Sequence, residues 1–257
     1  MSIESIRINV RDVAVSRAFY TKHLAAEVME EDHEHALLDL VTATIRLQRV
    51  DGSVASTWHK DDLHRGFRHI GFKVADTDSL FAGIEADGVP IHLAPLNAEG
   101  GVRIAFFYDP DGTLLEFVQG DLQYHAVADQ ELVDAEYALG VPERPRFDHV
   151  AETVADFAAT QAFYAPLGFR HHGSLDQPSD PRGFRIRFLT QGNTVLELFA
   201  YDVETTPTSP APGALGFDSV VLSGADAWPP HGAAHHEDQV LDPDGVVLSN
   251  GTGRGAA

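Results

Sequence analysis

The chain has 257 residues, with 18 Lys and Arg against 39 Asp and Glu and a net charge of −21. That balance excludes a generic nucleic-acid binder, because no basic stripe is available to neutralise phosphates, and it opposes anionic membrane surfaces. No cysteine is present, so disulfides, thiolate nucleophiles and zinc–thiolate sites are excluded together, and any metal must be held by His, Asp or Glu. A hydrophobic content of 44% is that of a globular chain, and no apolar run approaches the roughly 20 residues a membrane helix needs. The start, Met1-Ser2-Ile3-Glu4, lacks the basic and apolar regions of a signal peptide. A cytoplasmic protein of one large or two small domains is therefore expected.

In chain order, a strand is predicted over 3–10 and a helix over 13–24 with Asp12 as its N-cap. Strands follow over 36–40 and 44–50. A second half-unit opens with a strand over 69–74 and a helix over 77–86, which Gly88 and Pro90 end. Strands over 102–108 and 113–119 complete it. They are joined by Asp109-Pro110-Asp111-Gly112, whose Pro at i+1 and Gly at i+3 suit a type I turn. Residues 121–145 read as an acidic linker with a short helix over 129–139. Residues 154–164 then repeat 10–20, with Val, Asp, two Ala, Phe and Tyr in register. Asp242-Pro243-Asp244-Gly245 echoes the earlier turn, and Gly216-Phe217 echoes Gly66-Phe67. The chain thus reads as two copies of one module, at 1–120 and 146–257. Strand, helix and further strands recur four times, which predicts an α+β fold of four βαβββ units with curved, barrel-like mixed sheets. The fourth unit, 216–250, is shortened and carries Trp228-Pro229-Pro230 where a helix belongs.

Two acidic residues stand out on predicted strands. Glu116 has Leu114 and Val118 as neighbours on its face, and Glu197 has Val195 and Phe199. A carboxylate on an apolar face costs several kcal/mol if buried bare, so it needs a cation or a proton. One such strand in each module suggests a common partner.

The patterns V-x-D-x-x-x-S/T-x-x-F-Y, G-F-x-H-I-x-F and D-P-D-G-x-x-x-E resemble those of the vicinal-oxygen-chelate superfamily, which includes glyoxalase I, extradiol dioxygenases, and bleomycin- and fosfomycin-resistance proteins. The resemblance implies ligand positions at Ser5, Arg46, His69 and Glu116 in module one, and at His149, Glu197, Ser219 and Ser249 in module two. Glyoxalase I relatives build each site from half of one module and the opposite half of the other. That sharing groups His69, Glu116, His149 and Glu197 around one divalent ion, which His and carboxylate ligands leave open among Zn, Ni, Co, Mn and Fe. It leaves Ser5, Arg46, Ser219 and Ser249 with a cation and no good ligand. The implied activity is a metal-dependent lyase or isomerase acting on a small-molecule substrate chelated through neighbouring oxygens. Glu116 would shuttle the proton and Glu197 would be the second carboxylate.

Two alternatives stay open. A bleomycin-resistance-type binder would use the same fold without metal, and −21 suits a cationic drug. An extradiol dioxygenase would keep two His and one Glu in a single module, where Ser219 and Ser249 stand instead. The histidines at 33/35, 171/172 and 231/235/236 read as solvated surface. Residues 59–64, with His59, Asp61, Asp62 and His64, read as a surface loop, with a lid over the cleft as the alternative. Gly251–Gly255 reads as a frayed tail. No nucleic-acid or membrane partner is expected, and a monomer (a fused pseudo-dimer) and a homodimer are both open.

Overall fold

The computed structural model describes residues 2–224, 233–236 and 239–251. Residues 228–230, where the fourth unit departs from its siblings, and the tail past Gly251 lie outside these, as do the side chains of His231, His235 and His236. Unit one comprises β1 (Ile3–Val10), α1 (Val13–His23), β2 (Glu27–Glu31), β3 (His35–Asp39) and β4 (Thr44–Arg49). Unit two comprises β5 (Gly66–Lys73), α2 (Thr77–Ala86), β6 (Ile91–Asn97), β7 (Arg103–Tyr108) and β8 (Leu114–Gln119). The linker carries β9 (Ala126–Val127) and α3 (Gln130–Ala138). Unit three comprises β10 (Arg146–Thr153), α4 (Phe157–Tyr164), β11 (Arg170–Asp176), β12 (Arg185–Gln191) and β13 (Thr194–Ala200). Unit four comprises β14 (Gly216–Leu222), β15 (Ala233–His236), β16 (Gln239–Leu241) and β17 (Val247–Asn250). Among the described residues, all four α-helices start the same way. Asp12, Asp76, Asp129 and Asp156 sit in extended backbone and accept a first-turn N–H, which satisfies an otherwise orphan donor.

The strands form two sheets, and each sheet couples units from different modules. The first runs β15-β16-β17-β14-β1-β4-β3-β2 and joins unit four to unit one. The second runs β6-β7-β8-β5-β10-β13-β12-β11-β9 and joins unit two to unit three. The sheets are the mixed, curved ones that the repeat predicts, and both are open rather than closed into barrels. An open edge needs protection from further pairing. At β2 all five side chains are exposed, three of them glutamates, and the pairing to β3 is bulged. The same exposure explains why β2 carries no apolar alternation that would predict it. The edge strand β6 likewise holds Pro95 and two register shifts.

One buried apolar cluster joins the sheets, with Ile6 and Ile45 from the first and Phe72, Phe117, Val150 and Leu196 from the second. The repeated motifs tie the sheets together. Tyr20 on α1 donates to Asp109 at 2.9 Å, and Tyr164 on α4 donates to Asp242 at 3.1 Å. Ser16 Oγ and the Arg11 N–H donate to Asp111. Thr160 Oγ1 and the Ala155 N–H donate to Asp244. Phe67 and Phe217 stack face to face at 3.9 Å. The F-Y, D-P-D-G and G-F patterns are therefore mutual partners of the fold. Where the first tie has Ile8, the second has Glu152, buried beside Asp242, and burial together with that charge pushes its carboxyl well up. Among the described residues no helix is long and apolar enough to cross a membrane.

Asp109 is buried, and burial lifts its pKa to about 6, although the Thr113 N–H and Tyr20 hydroxyl favour its ionised form. A folded-state pKa above the unfolded one favours folding below the unfolded value, and that advantage is lost as pH rises through about 6. Tyr20→Phe removes a donor to the ionised form. It should cost about 1–3 kcal/mol at pH 8 and less at pH 5, as read from urea unfolding at the two pH values. An equal cost at both would show that the hydroxyl does not serve the ionised carboxylate.

Candidate metal centre

The four central strands of the second sheet, β8-β5-β10-β13, each supply one side chain to a common point: Glu116, His69, His149 and Glu197 in that order. His69 Nε2 lies 3.0 Å from His149 Nε2, 3.1 Å from Glu116 Oε2 and 3.4 Å from Glu197 Oε2. His149 Nε2 lies 3.1 Å from Glu116 Oε2 and 3.3 Å from Glu197 Oε2. All four ligand atoms fall within 4.8 Å of one another. Donors about 2.1 Å from an ion stand about 3.0 Å apart at right angles and about 3.4 Å apart at tetrahedral angles. The spacing, the two imidazoles and the two carboxylates therefore fit one divalent ion.

Backbone register explains the convergence. On the antiparallel β5–β10 seam, His69 faces Ala151 and His149 faces Gly71. On the parallel flanks, Gly71 is paired with Glu116 and Ala151 with Glu197. Each histidine thus leans over a small residue whose other neighbour is a glutamate. A Cβ at Gly71 would stand 2.1 Å from the His149 ring, so only glycine leaves room for it. A β-bulge precedes each histidine, at Arg68 and at Asp148, and such an extra residue re-aims the side chains around it. It brings the Asp148 carboxylate to 3.0 Å from His149 Nδ1. That contact assigns the Nδ1 proton and frees Nε2 for an ion. Gly71 and Asp148 escaped the sequence reading. Their signals are the glycine inside G-F-x-H-I-x-F and the acid directly before a strand histidine.

Charge balance in the cage is tight. Burial opposes a proton on His149, but Glu197, Asp148 and Glu116 hold its pKa well above the ordinary imidazole value. Burial also opposes charge on Glu197, yet the facing His149 holds it down at about 2. The cage therefore calls for a positive charge. Above it lies a cavity of about 340 Å³ with Phe106, Phe184, Phe188, Phe199, Ile104 and Ile186 among its walls. Residues 59–64 are anchored at this cavity and are not a free surface loop. Arg68 donates to the His59 carbonyl, Asp62 accepts from Arg182 and Tyr201, and Asp62 lines the cavity. His172 also departs from expectation. It is fully buried, with Nε2 2.9 Å from Tyr124 Oη and 3.2 Å from Glu136, because β11 turns it toward the linker helix. His33 is exposed and His35 half-buried.

The other four ligand positions gather on the first sheet. Ser5 and Arg46 line a separate cavity there, while Ser219 and Ser249 hydrogen-bond each other at 3.1 Å. No carboxylate or imidazole stands at any of them.

Two substitutions test the support of the cage. Asp148→Asn should weaken Zn²⁺ or Ni²⁺ affinity about 10–100-fold, and Gly71→Ala should weaken it at least as much by displacing the His149 ring. Metal titration by calorimetry on folded variants reads both. Unchanged affinity in Gly71→Ala would show that His149 is not held where the register places it.

The profile of the Glyoxalase/Bleomycin resistance protein/Dioxygenase superfamily matches residues 2–117. No curated protein matches the chain by sequence. Among solved structures, glyoxalase I from Zea mays is similar at a TM-score of 0.65 and 19% identity, covering 97% of this chain and 91% of that one. A single-residue variant of the same enzyme gives a TM-score of 0.69 at 19% identity, with the same coverage. At this identity the likeness is one of fold, and it extends over both modules. The profile places residues 2–117 in this superfamily, and the chain as a whole shares the two-module fold of glyoxalase I.

Proposed function

We propose that the protein is a metal-dependent lyase or isomerase of the glyoxalase I type, with one divalent ion held by His69, Glu116, His149 and Glu197. The observation that carries this reading is the meeting of two imidazoles and two carboxylates, two residues from each module, at the floor of an apolar cavity. A divalent ion there supplies Lewis-acid stabilisation of the charge that develops on a carbonyl substrate with a neighbouring oxygen. The protein's own part is to position that substrate and to move a proton. Glu116 is buried between Leu114 and Val118 and lines the cavity, where its carboxylate would face the carbon next to a substrate carbonyl held at the cage. It takes the proton from that carbon and returns it to the neighbouring one. His69 and His149 orient the cage, and the ring of phenylalanines excludes the water that would exchange or quench the transferred proton.

The aromatic cavity and the charge of −21 also suit a metal-free binder of cationic drugs. Elemental analysis should separate the two readings, with close to one divalent ion per chain in the enzyme. Solvent deuterium incorporation next to the carbonyl, across hemithioacetals, acyl thioesters and 2-hydroxy ketones, tests the chemistry. Glu116→Gln keeps an oxygen donor and removes the base, so exchange should fall about 10²–10⁴-fold with metal still bound. A metal-loaded protein that exchanges nothing on this panel and binds a cationic antibiotic one to one would establish the binder. Retained exchange in Glu116→Gln would move the base to Glu197.

A further inference from the structure

We propose that the first sheet carries a second, metal-independent site that binds the carboxylate or phosphate group of a small molecule through Arg46 and Arg7. The concave face of this sheet lines a cavity of about 590 Å³, larger than the one above the histidine cage. Arg7 on β1 and Arg46 on β4 are direct register partners on parallel strands, and both line that cavity. Like charges held side by side on one sheet face are destabilising unless something neutralises them. Arg7 has Asp218 at 3.9 Å. Arg46 is half-buried and makes no hydrogen bond or ion pair with any described residue. In a chain with 39 acidic residues and 18 basic ones, a half-buried arginine left without a counter-ion in a cavity has a specific physical meaning. Its guanidinium donors are available to a ligand.

A second observation points the same way. Ser5, two residues from Arg7 on the same strand face, is buried, lines the cavity, and its Oγ has no hydrogen-bond partner among the described residues. The site also occupies a defined place in the repeat. Arg46 pairs with Arg7 as Glu197 pairs with Ala151 on the other sheet. The bulges that aim the cage histidines have counterparts here at Glu4 and Asp218. The geometry that gathers carboxylates around a cation is kept, while the charge at its centre is inverted. A guanidinium fork in that position matches the two oxygens of a carboxylate or phosphate. The acidic groups at the cavity leave this fork free. Asp218 is taken up by Arg7, Asn9 and Ser219, and Glu4 is exposed at the rim.

The test uses the full chain at low ionic strength, with inorganic phosphate and succinate as probes. Both should bind saturably by calorimetry and raise the melting temperature, because a ligand that binds only the folded state stabilises it. Arg46→Gln should weaken the tighter-binding anion about 10-fold or more. Without anion, that variant should melt no lower than wild type, since the like-charged pair is relieved. His149→Ala, which breaks the metal cage, should retain anion binding. Undiminished binding by Arg46→Gln overturns the proposal, as does stabilisation matched by sodium chloride at equal ionic strength. Loss of binding in His149→Ala with Arg46→Gln unaffected places the anion at the metal cage and equally overturns it.

Discussion

Most of this structure depends on the antiparallel seam between β5 and β10. These strands come from different modules, and their pairing sets His149 over Gly71 and His69 over Ala151. A one-residue slip in a strand sends every side chain to the opposite face, so the cluster of two histidines and two glutamates exists only in this register. The register is in turn protected on both sides. The parallel partners β8 and β13 set a buried Glu116 and a half-buried Glu197 beside the seam. The bulges at Arg68 and Asp148 turn the histidines inward without changing the pairing beyond them.

The coupling of unit two to unit three, and of unit four to unit one, leaves each module with one foot in each sheet. The tyrosine–aspartate ties then work within a module and across the sheets. Tyr20 above the first sheet reaches Asp109 at an end of the second, and Tyr164 above the second reaches Asp242 of the first. Exchanged sheets and crossed ties bind the two halves of the chain into one body with a continuous core. A buried carboxylate is expensive unless donors surround it. Backbone N–H groups in and just after the two D-P-D-G turns, of Asp111 and Thr113 and of Asp244 and Val246, supply those donors to Asp109 and Asp242.

Duplication gives one scaffold two concave faces, and their chemistry has diverged at only a few positions. On the second sheet, imidazole and carboxylate meet below aromatic walls, in a donor set that could hold a cation. On the first, two serines close on each other while an arginine occupies a ligand position. Strand pairing and bulges agree between the two. At the corresponding positions the difference is one of side-chain chemistry, imidazoles and carboxylates on one sheet against serines and an arginine on the other.

The amino-acid sequence by itself determined what local rules control. Helix α2 spans the expected residues and β1 does likewise, because a capping aspartate, a glycine–proline stop or an apolar alternation acts over a few residues. The repeat, and the odd position of Glu116 and Glu197 on apolar strands, were legible for the same reason. Strand β2 was not, since its side chains are all exposed and the partner strand alone makes it a strand. His172 was misread because its burial depends on Tyr124 and Glu136 from the distant linker. The roles of Gly71, Asp148 and the Arg7–Arg46 pair were decided by the tertiary structure. Their meaning arises from which residue lies across a seam from which, a relation between strands that the order of residues along one strand does not contain.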